Sequence, residues 1–286
     1  MPTIDEISAR MAGSKVFSHL DCSMSFWQLP LHPKDRHLTC FITPFGRYVM
    51  NRVPFGLNSS TEILQRRLTE VMEGLSGVVI EVDDILVHAA TVAEHDRILD
   101  QVLERIAACG LKLNKSKCLF RVSSVKYLGQ VFSGEGMKPD PDKVAAIKNL
   151  APPEDVAGVR RFCGMVNYLG RYTPNLSATL QPINDLLKSD VEFVWDHRQQ
   201  QAFDACKDTL SSETQLKFYD MSKPTTVSAD ASSYGLGACL MQDHGGRLHP
   251  IAFASRAMTP TERRWAQSKR NASHLRGLAR SFHTSW

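Results

Sequence analysis

Apolar and polar positions divide the chain into a mixed first part, a helical middle and a strand-rich end. Over residues 94–108, Ile98, Leu99, Val102, Leu103 and Ile106 recur at three- and four-residue spacing, and Gly110 follows as a stop, which predicts an amphipathic helix. Just before it, residues 77–82 and 85–88 are apolar and β-branched, separated by Asp83 and Asp84, which predicts a tight hairpin with the acidic pair at its tip. Asp140 and Pro141 read as N-cap and first-turn proline of a helix through Val144, Ile147 and Leu150, which Pro152 and Pro153 end. A second helix follows, with Glu154 and Asp155 in its first turn and an apolar face of Val159, Phe162, Val166 and Leu169. From Asp196 a third carries Ala202, Phe203, Cys206 and Leu210. After Lys223 and Pro224, strands are predicted over 225–229, 236–241 and 249–254, with turns at 230–235 and 243–246.

Composition changes this picture little. The 286 residues with 43% apolar content suffice for two or three modest domains with ordinary cores. Uncharged apolar runs such as 77–80 and 85–87 are far shorter than the roughly 20 residues of a membrane span, so no transmembrane segment is predicted. The N-terminus carries Asp5 and Glu6 and has no apolar h-region, which points to residence inside the cell. Seven cysteines with no CxxC pair read as reduced and mostly buried. The formal charge is +4, but eight Lys or Arg against one acid lie from Arg247 onward, so the chain before it is net acidic and charge alone identifies no partner. Residues 268–286 lose apolar periodicity and become basic, as a tail does.

The candidate chemistry lies in the carboxylates. Joining a nucleotide to a strand requires divalent cations that activate a hydroxyl and neutralise a triphosphate, and clustered carboxylates hold such hard ions. Asp83 and Asp84 offer two, and Asp21, after the apolar Val16, Phe17 and Leu20, is placed to add a third from a neighbouring strand. An isolated Asp-Asp between apolar runs is ordinarily a solvated turn, so the surrounding motifs decide.

Residues 2–133 closely resemble the palm of reverse transcriptases from gypsy-type LTR retrotransposons. PTIDEI, KVFSHLD, WQLPLHPKDRHLTCFITPFGRY, VPFGL, VDDILV, GLKLNKSKC and YLGQVFS occur in that family's order. KPDPDKVAAIKNL, GMVNYLGRYTPN and FVWDHRQQQAF resemble its thumb and connecting region, and TTVSADASSYGLGACLMQ the first strands of its RNase H-like domain, up to about Arg264. The resemblance implies an α+β fold: a palm with partial fingers, an antiparallel sheet and packed helices over 1–134, a small thumb-like helical region over 135–190, a connection with a truncated RNase H-like α/β stub over 191–267, and the divergent tail 268–286. It implies RNA-directed DNA polymerase activity by two-metal nucleotidyl transfer with two Mg²⁺, or Mn²⁺ in their place, an RNA or DNA primer-template and deoxynucleoside triphosphates as partners, no membrane, and an intracellular, cytoplasmic setting, in retroelement particles or the nucleus.

Carried over position by position, Asp21 and Asp83 are the main metal ligands and Asp84 the third carboxylate. Phe26 falls where an aromatic underlies the incoming sugar and excludes a ribose 2′-hydroxyl, the lesser alternative being a plain core phenylalanine. Phe55 and Gly56 fall at the nucleotide pocket, Tyr127, Leu128 and Gly129 at the hairpin that grips the primer end, and Lys115 and Lys117 where phosphate passes. Asp230 matches the first metal-binding carboxylate of RNase H; no further match follows ERRWAQ, so RNA cleavage is not expected. Glu81 stands where the family has the tyrosine of YxDD, adding negative charge beside the primer phosphates. The chain opens at the family's PTIDE-like point, so fingers residues that clamp the triphosphate are expected to be missing, and Glu81→Tyr alone is expected to help little. Three functions stay open: an impaired polymerase, an inactive remnant that folds and at most binds primer-template, and a structural subunit paired with a complete copy.

Overall fold

The computed structural model describes residues 3–211, 214–232 and 235–264. The described residues form two compact units: Gly13–Val125 with Thr3, and Ile4–Ala12 with those from Lys126 onward. In chain order the elements begin with α1 (Ile4–Arg10), which buries Ile7, and β1 (Val16–Asp21). There follow α2 (Ser25–Gln28), the hairpin β2 (Phe41–Thr43) and β3 (Gly46–Tyr48), α3 (Ser60–Val71), β4 (Val78–Glu81), β5 (Asp84–Ala89), α4 (Val92–Cys109) and β6 (Leu119–Val122).

In the first unit the sheet runs β4-β5-β1-β6, with β1 antiparallel to β5 and to β6 and β4 antiparallel to β5. Leu20 of β1 faces Ile85 of β5, which in turn faces Ile80 of β4. Opposed residues share a face, and on this one Leu64 and Leu68 of α3 and Ile98, Val102 and Ile106 of α4 complete the core. Burying each such side chain stabilises by about 1.5–3 kcal/mol. The residues one step along lie on the other face, which puts Asp21, Asp84 and Glu81 in a row away from the helices. Helix α4 spans the predicted region, with the Thr91 hydroxyl accepting from the Glu94 N–H at its start and Gly110 in the left-handed region (φ 72°) at its end.

Strand β7 (Ser124–Tyr127) spans the change from one unit to the other, and the second continues with β8 (Gln130–Ser133), β9 (Gly136–Pro139), α5 (Pro141–Lys148), α6 (Val156–Tyr168), α7 (Leu176–Thr179), α8 (Gln181–Asn184) and α9 (His197–Ser211). Asp140 caps α5 as predicted. Asp155 is the N-cap of α6, not a first-turn residue, because its extended backbone (ψ 172°) turns its carboxylate onto the Gly158 N–H. One core joins Ile147, Val159, Phe162, Val166, Ile183, Phe203, Cys206 and Leu210, so α9 packs together with α5 and α6. The antiparallel sheet β10 (Thr225–Ala231), β11 (Gly235–Asp243) and β12 (Leu248–Ala257) follows, then α10 (Pro260–Arg263). Asp230 is therefore within β10, paired with Gly237, and not in the predicted turn.

All seven cysteines are free, but burial is less general than the composition predicted. Cys22, Cys163 and Cys206 are buried, Cys118 and Cys239 half-buried, and Cys40 and Cys109 exposed. Among the described residues no helix is long and apolar enough to cross a membrane. The tail 268–286 lies outside the described residues.

Candidate active site

The sheet places the carboxylates by register. Asp21 at the end of β1 lies directly opposite Asp84, the first residue of β5, and Glu81 at the end of β4 lies opposite Asp84 on its other side. Asp83 occupies the two-residue connection with Val82, and its carbonyl accepts from the Cys22 N–H at 2.9 Å, so the turn is stitched to the strand that carries Asp21. Only Asp83 is thus at the hairpin tip; Asp84 belongs to the strand. The segment after α4 closes the other side: the Asn114 N–H donates to the Asp21 carbonyl at 2.8 Å, and Cys22 bridges to Leu113.

The side chains are held by protein partners. His19, two residues before Asp21 on the same face, contacts Asp84 Oδ1 through Nε2 at 2.8 Å, and Lys117 Nζ lies 3.4 Å from Asp21 Oδ2. Burial raises the Asp83 carboxyl above its ordinary range, and the charges of Asp84 and Asp21 add to this, while its own backbone N–H and Lys117 oppose it. Burial likewise raises Glu81, with Asp84 adding, and Glu81 Oε2 is buried without a hydrogen-bond partner. Cys22 is pushed up to about 12 by burial and then by the three aspartates, so it is a neutral thiol.

Among the described residues no three His, Cys, Asp or Glu side chains are arranged to hold a metal ion as they stand. Asp84 is turned to His19 and Asp21 to Lys117. The donor set nevertheless fits a hard divalent cation: the carboxylates of Asp21, Asp83 and Asp84 supply only oxygen, and Glu81 adds a buried oxygen without a hydrogen-bond partner.

Two side chains absent from the sequence reasoning fix this geometry. Gln65 of α3 accepts from the Val82 N–H at 2.7 Å through Oε1 and donates to the Ile80 carbonyl at 3.0 Å through Nε2. Gln28 of α2 accepts from the Lys112 N–H at 2.7 Å and donates to the carbonyls of Lys112 and Ser23. A polar residue flanking the apolar stripe Leu64 and Leu68 was the only available signal for Gln65.

Phe26 and Phe55 meet edge to face with ring centroids 5.2 Å apart, and Trp27 lies 5.8 Å from Phe55. Phe26 is half-buried against the core, Phe55 is exposed, and Gly56 has φ 88°. In the second unit, Leu128 and Gly129 form the two-residue connection of β7 and β8, both at positive φ (48° and 64°), as a type I′ turn requires. The Tyr168 hydroxyl donates to the Leu128 carbonyl at 2.6 Å. Tyr127, at the end of β7, is buried. Lys115 is exposed, as is Lys117 beside Asp21. Asp230 is exposed on a shallow pocket of about 120 Å³, and among the residues lining that pocket it is the sole carboxylate.

A strand-borne aspartate opposite an aspartate hairpin, backed by two helices, is the arrangement expected from the resemblance to a reverse transcriptase palm. Residues 1–132 match the family of the reverse transcriptase (RNA-dependent DNA polymerase), and residues 195–284 match the RNase H-like domain found in reverse transcriptase, a match that runs past Arg264. The chain belongs to the reverse transcriptase family. It is similar to the Retrovirus-related Pol polyprotein from transposon gypsy of Drosophila melanogaster, 34% identical over 284 residues, covering 94% of this chain and 27% of that protein. It is also similar to the Transposon Tf2-3 polyprotein of Schizosaccharomyces pombe, 30% identical over 271 residues, covering 94% and 20%. The chain thus spans about a quarter of the length of these relatives. Its fold matches the foamy viral protease-reverse transcriptase dRH in complex with ds DNA, with TM-score 0.89, 22% identity and coverage of 98% of this chain and 50% of that one. The foamy viral protease-reverse transcriptase in complex with RNA/DNA hybrid matches at TM-score 0.84 and 21% identity, with 97% and 38% coverage.

Proposed function

We propose that this chain carries the polymerase centre of an RNA-directed DNA polymerase, extending a primer with deoxynucleotides along an RNA or DNA template inside the cell. The observation that supports it is the register that sets Asp21 against Asp84, with Asp83 in the adjoining turn. In this reading Asp21, Asp83 and Asp84 hold divalent cations, Mg²⁺ or Mn²⁺, after Asp84 leaves His19 and Asp21 leaves Lys117. Such cations supply Lewis-acid activation of the primer 3′-hydroxyl and charge neutralisation on the triphosphate. The hydroxyl attacks the α-phosphorus in line, the new phosphodiester forms and pyrophosphate departs. Phe26, braced by Phe55, lies under the sugar and disfavours a 2′-hydroxyl, with Gly56 leaving room for the nucleotide. The Leu128–Gly129 turn supports the primer strand, and Lys115 and Lys117 neutralise phosphate. The fold neighbours bound to ds DNA and to RNA/DNA hybrid support a nucleic-acid partner.

One observation favours a second reading, a fold that binds primer-template without extending it. Glu81 joins the acidic row with an unpartnered buried oxygen, where negative charge repels primer phosphate. Primer extension on a homopolymer template with Mg²⁺ and then Mn²⁺ decides between them, with Asp83→Asn as control. Extension by the parent and none by the variant supports the polymerase. A salt-dependent mobility shift without extension supports the binding remnant.

A further inference from the structure

We propose that Gln65 is a positioning residue of the carboxylate turn: its side-chain amide holds the β4–β5 connection so that Asp83 and Asp84 stand beside Asp21. The inference deepens the polymerase reading and rests on it for its consequence, but the positioning itself is testable without activity.

Two observations carry it. Val82, the first residue of the connection, has φ 56°, in the left-handed region that β-branched residues avoid and that hairpins of this length ordinarily give to glycine. Such a conformation persists only where surrounding structure over-determines it. The surrounding structure here is the Gln65 amide, whose oxygen accepts from the Val82 N–H at 2.7 Å while its nitrogen donates to the Ile80 carbonyl at 3.0 Å. One planar group therefore holds the turn where it leaves β4, while the Cys22 N–H holds the Asp83 carbonyl beyond it. It is delivered from α3, which Leu64 and Leu68, 1% and 2% exposed, anchor in the core. The bonds go to backbone atoms, so Gln65 sets where the turn lies whatever side chains it bears.

Leucine at 65 fills similar space without either bond. Glutamate keeps an acceptor for the Val82 N–H, loses the donor to Ile80 and adds charge beside the acidic row. Asparagine is one methylene too short to span both groups.

The first measurement is hydrogen exchange at the Val82 amide in metal-free protein. Gln65→Leu is expected to accelerate it, while Thr69→Ala, which removes a hydroxyl bonded to the Gln65 carbonyl on the same helix, leaves it unchanged. The second is Mn²⁺ binding read by electron paramagnetic resonance. Removing an orienting partner weakens a metal site by about 10–100-fold, so Gln65→Leu is expected to bind Mn²⁺ at least tenfold more weakly than the parent, and Asp83→Asn more weakly still. In primer extension, Gln65→Leu is expected to lower kcat with little change in KM for the nucleotide, because Phe26 and Phe55 are not touched. Val82→Gly added to Gln65→Leu restores part of the Mn²⁺ affinity, since glycine takes the positive φ unaided. Unchanged Val82 exchange in Gln65→Leu overturns the proposal. Accelerated exchange with no Mn²⁺ binding by the parent leaves the positioning standing and overturns the polymerase reading instead.

Discussion

Asp83→Asn is expected to stabilise the metal-free protein at neutral pH. Burial and the charges of Asp84 and Asp21 hold the Asp83 carboxyl above its ordinary value. A carboxyl whose folded-state pKa exceeds its unfolded one takes up protons on folding between the two values. Stability therefore falls as pH rises through that interval, and the penalty is present in full above it. Asparagine keeps an oxygen for the residue's own N–H and carries no charge, so it removes the penalty. Unit charges 5 Å apart at an effective dielectric of 20 repel by about 3 kcal/mol. Asp83 is half-exposed and Lys117 is near, so screening reduces the gain to about 1 kcal/mol, or a rise in Tm of about 2–4 °C. Thermal unfolding with a chelator at pH 7 measures it. The difference should vanish near pH 3, about one unit below the ordinary carboxyl pKa of about 3.9, and millimolar Mn²⁺ should reverse the order because only the parent gains binding energy. A variant no more stable than the parent at pH 7 would refute the electrostatic account of the site.

Phe162→Ala, in the core shared by α5, α6 and α9, should cost about 3–5 kcal/mol, read from urea unfolding. Gly237→Ala places a Cβ 1.6 Å from Asn175 Oδ1 and should destabilise by about 1–3 kcal/mol; Asn175→Ala in the same chain should recover most of it in thermal unfolding. Phe26→Val should raise ribonucleotide incorporation relative to deoxynucleotide incorporation in single-nucleotide extension, and an unchanged ratio would return Phe26 to the core alone.

Local pattern carried the helices furthest. The spacing of Ile98, Val102 and Ile106, the cap Asp140 and the stop Gly110 each act within a few residues, and each is found where the pattern puts it. The β4–β5 hairpin is equally local, although the pattern could not tell that Asp84 pairs with Glu81 while Asp83 turns. The pairing of Asp21 with Asp84 spans more than sixty residues, and no periodicity within either strand encodes it. The motif resemblance supplied that expectation. Gln65 and Gln28 escaped because a side-chain amide bonded to backbone leaves no mark on hydrophobic spacing. The burial of Tyr127 likewise depends on packing that its motif does not encode.

The fit of Gly237 against Asn175 ties the β10–β12 sheet to the helical segment before it, and the Ser177 N–H donates to Ser255 Oγ at 3.0 Å alongside. The two surfaces match at the scale of a single methyl group, so a change on one constrains the other. A recombination junction between related elements that falls between residues 177 and 237 would join a sheet from one parent to a helix end from the other. The resulting chimaera would keep every motif intact and still fail wherever the incoming sheet carries a side chain in place of that glycine.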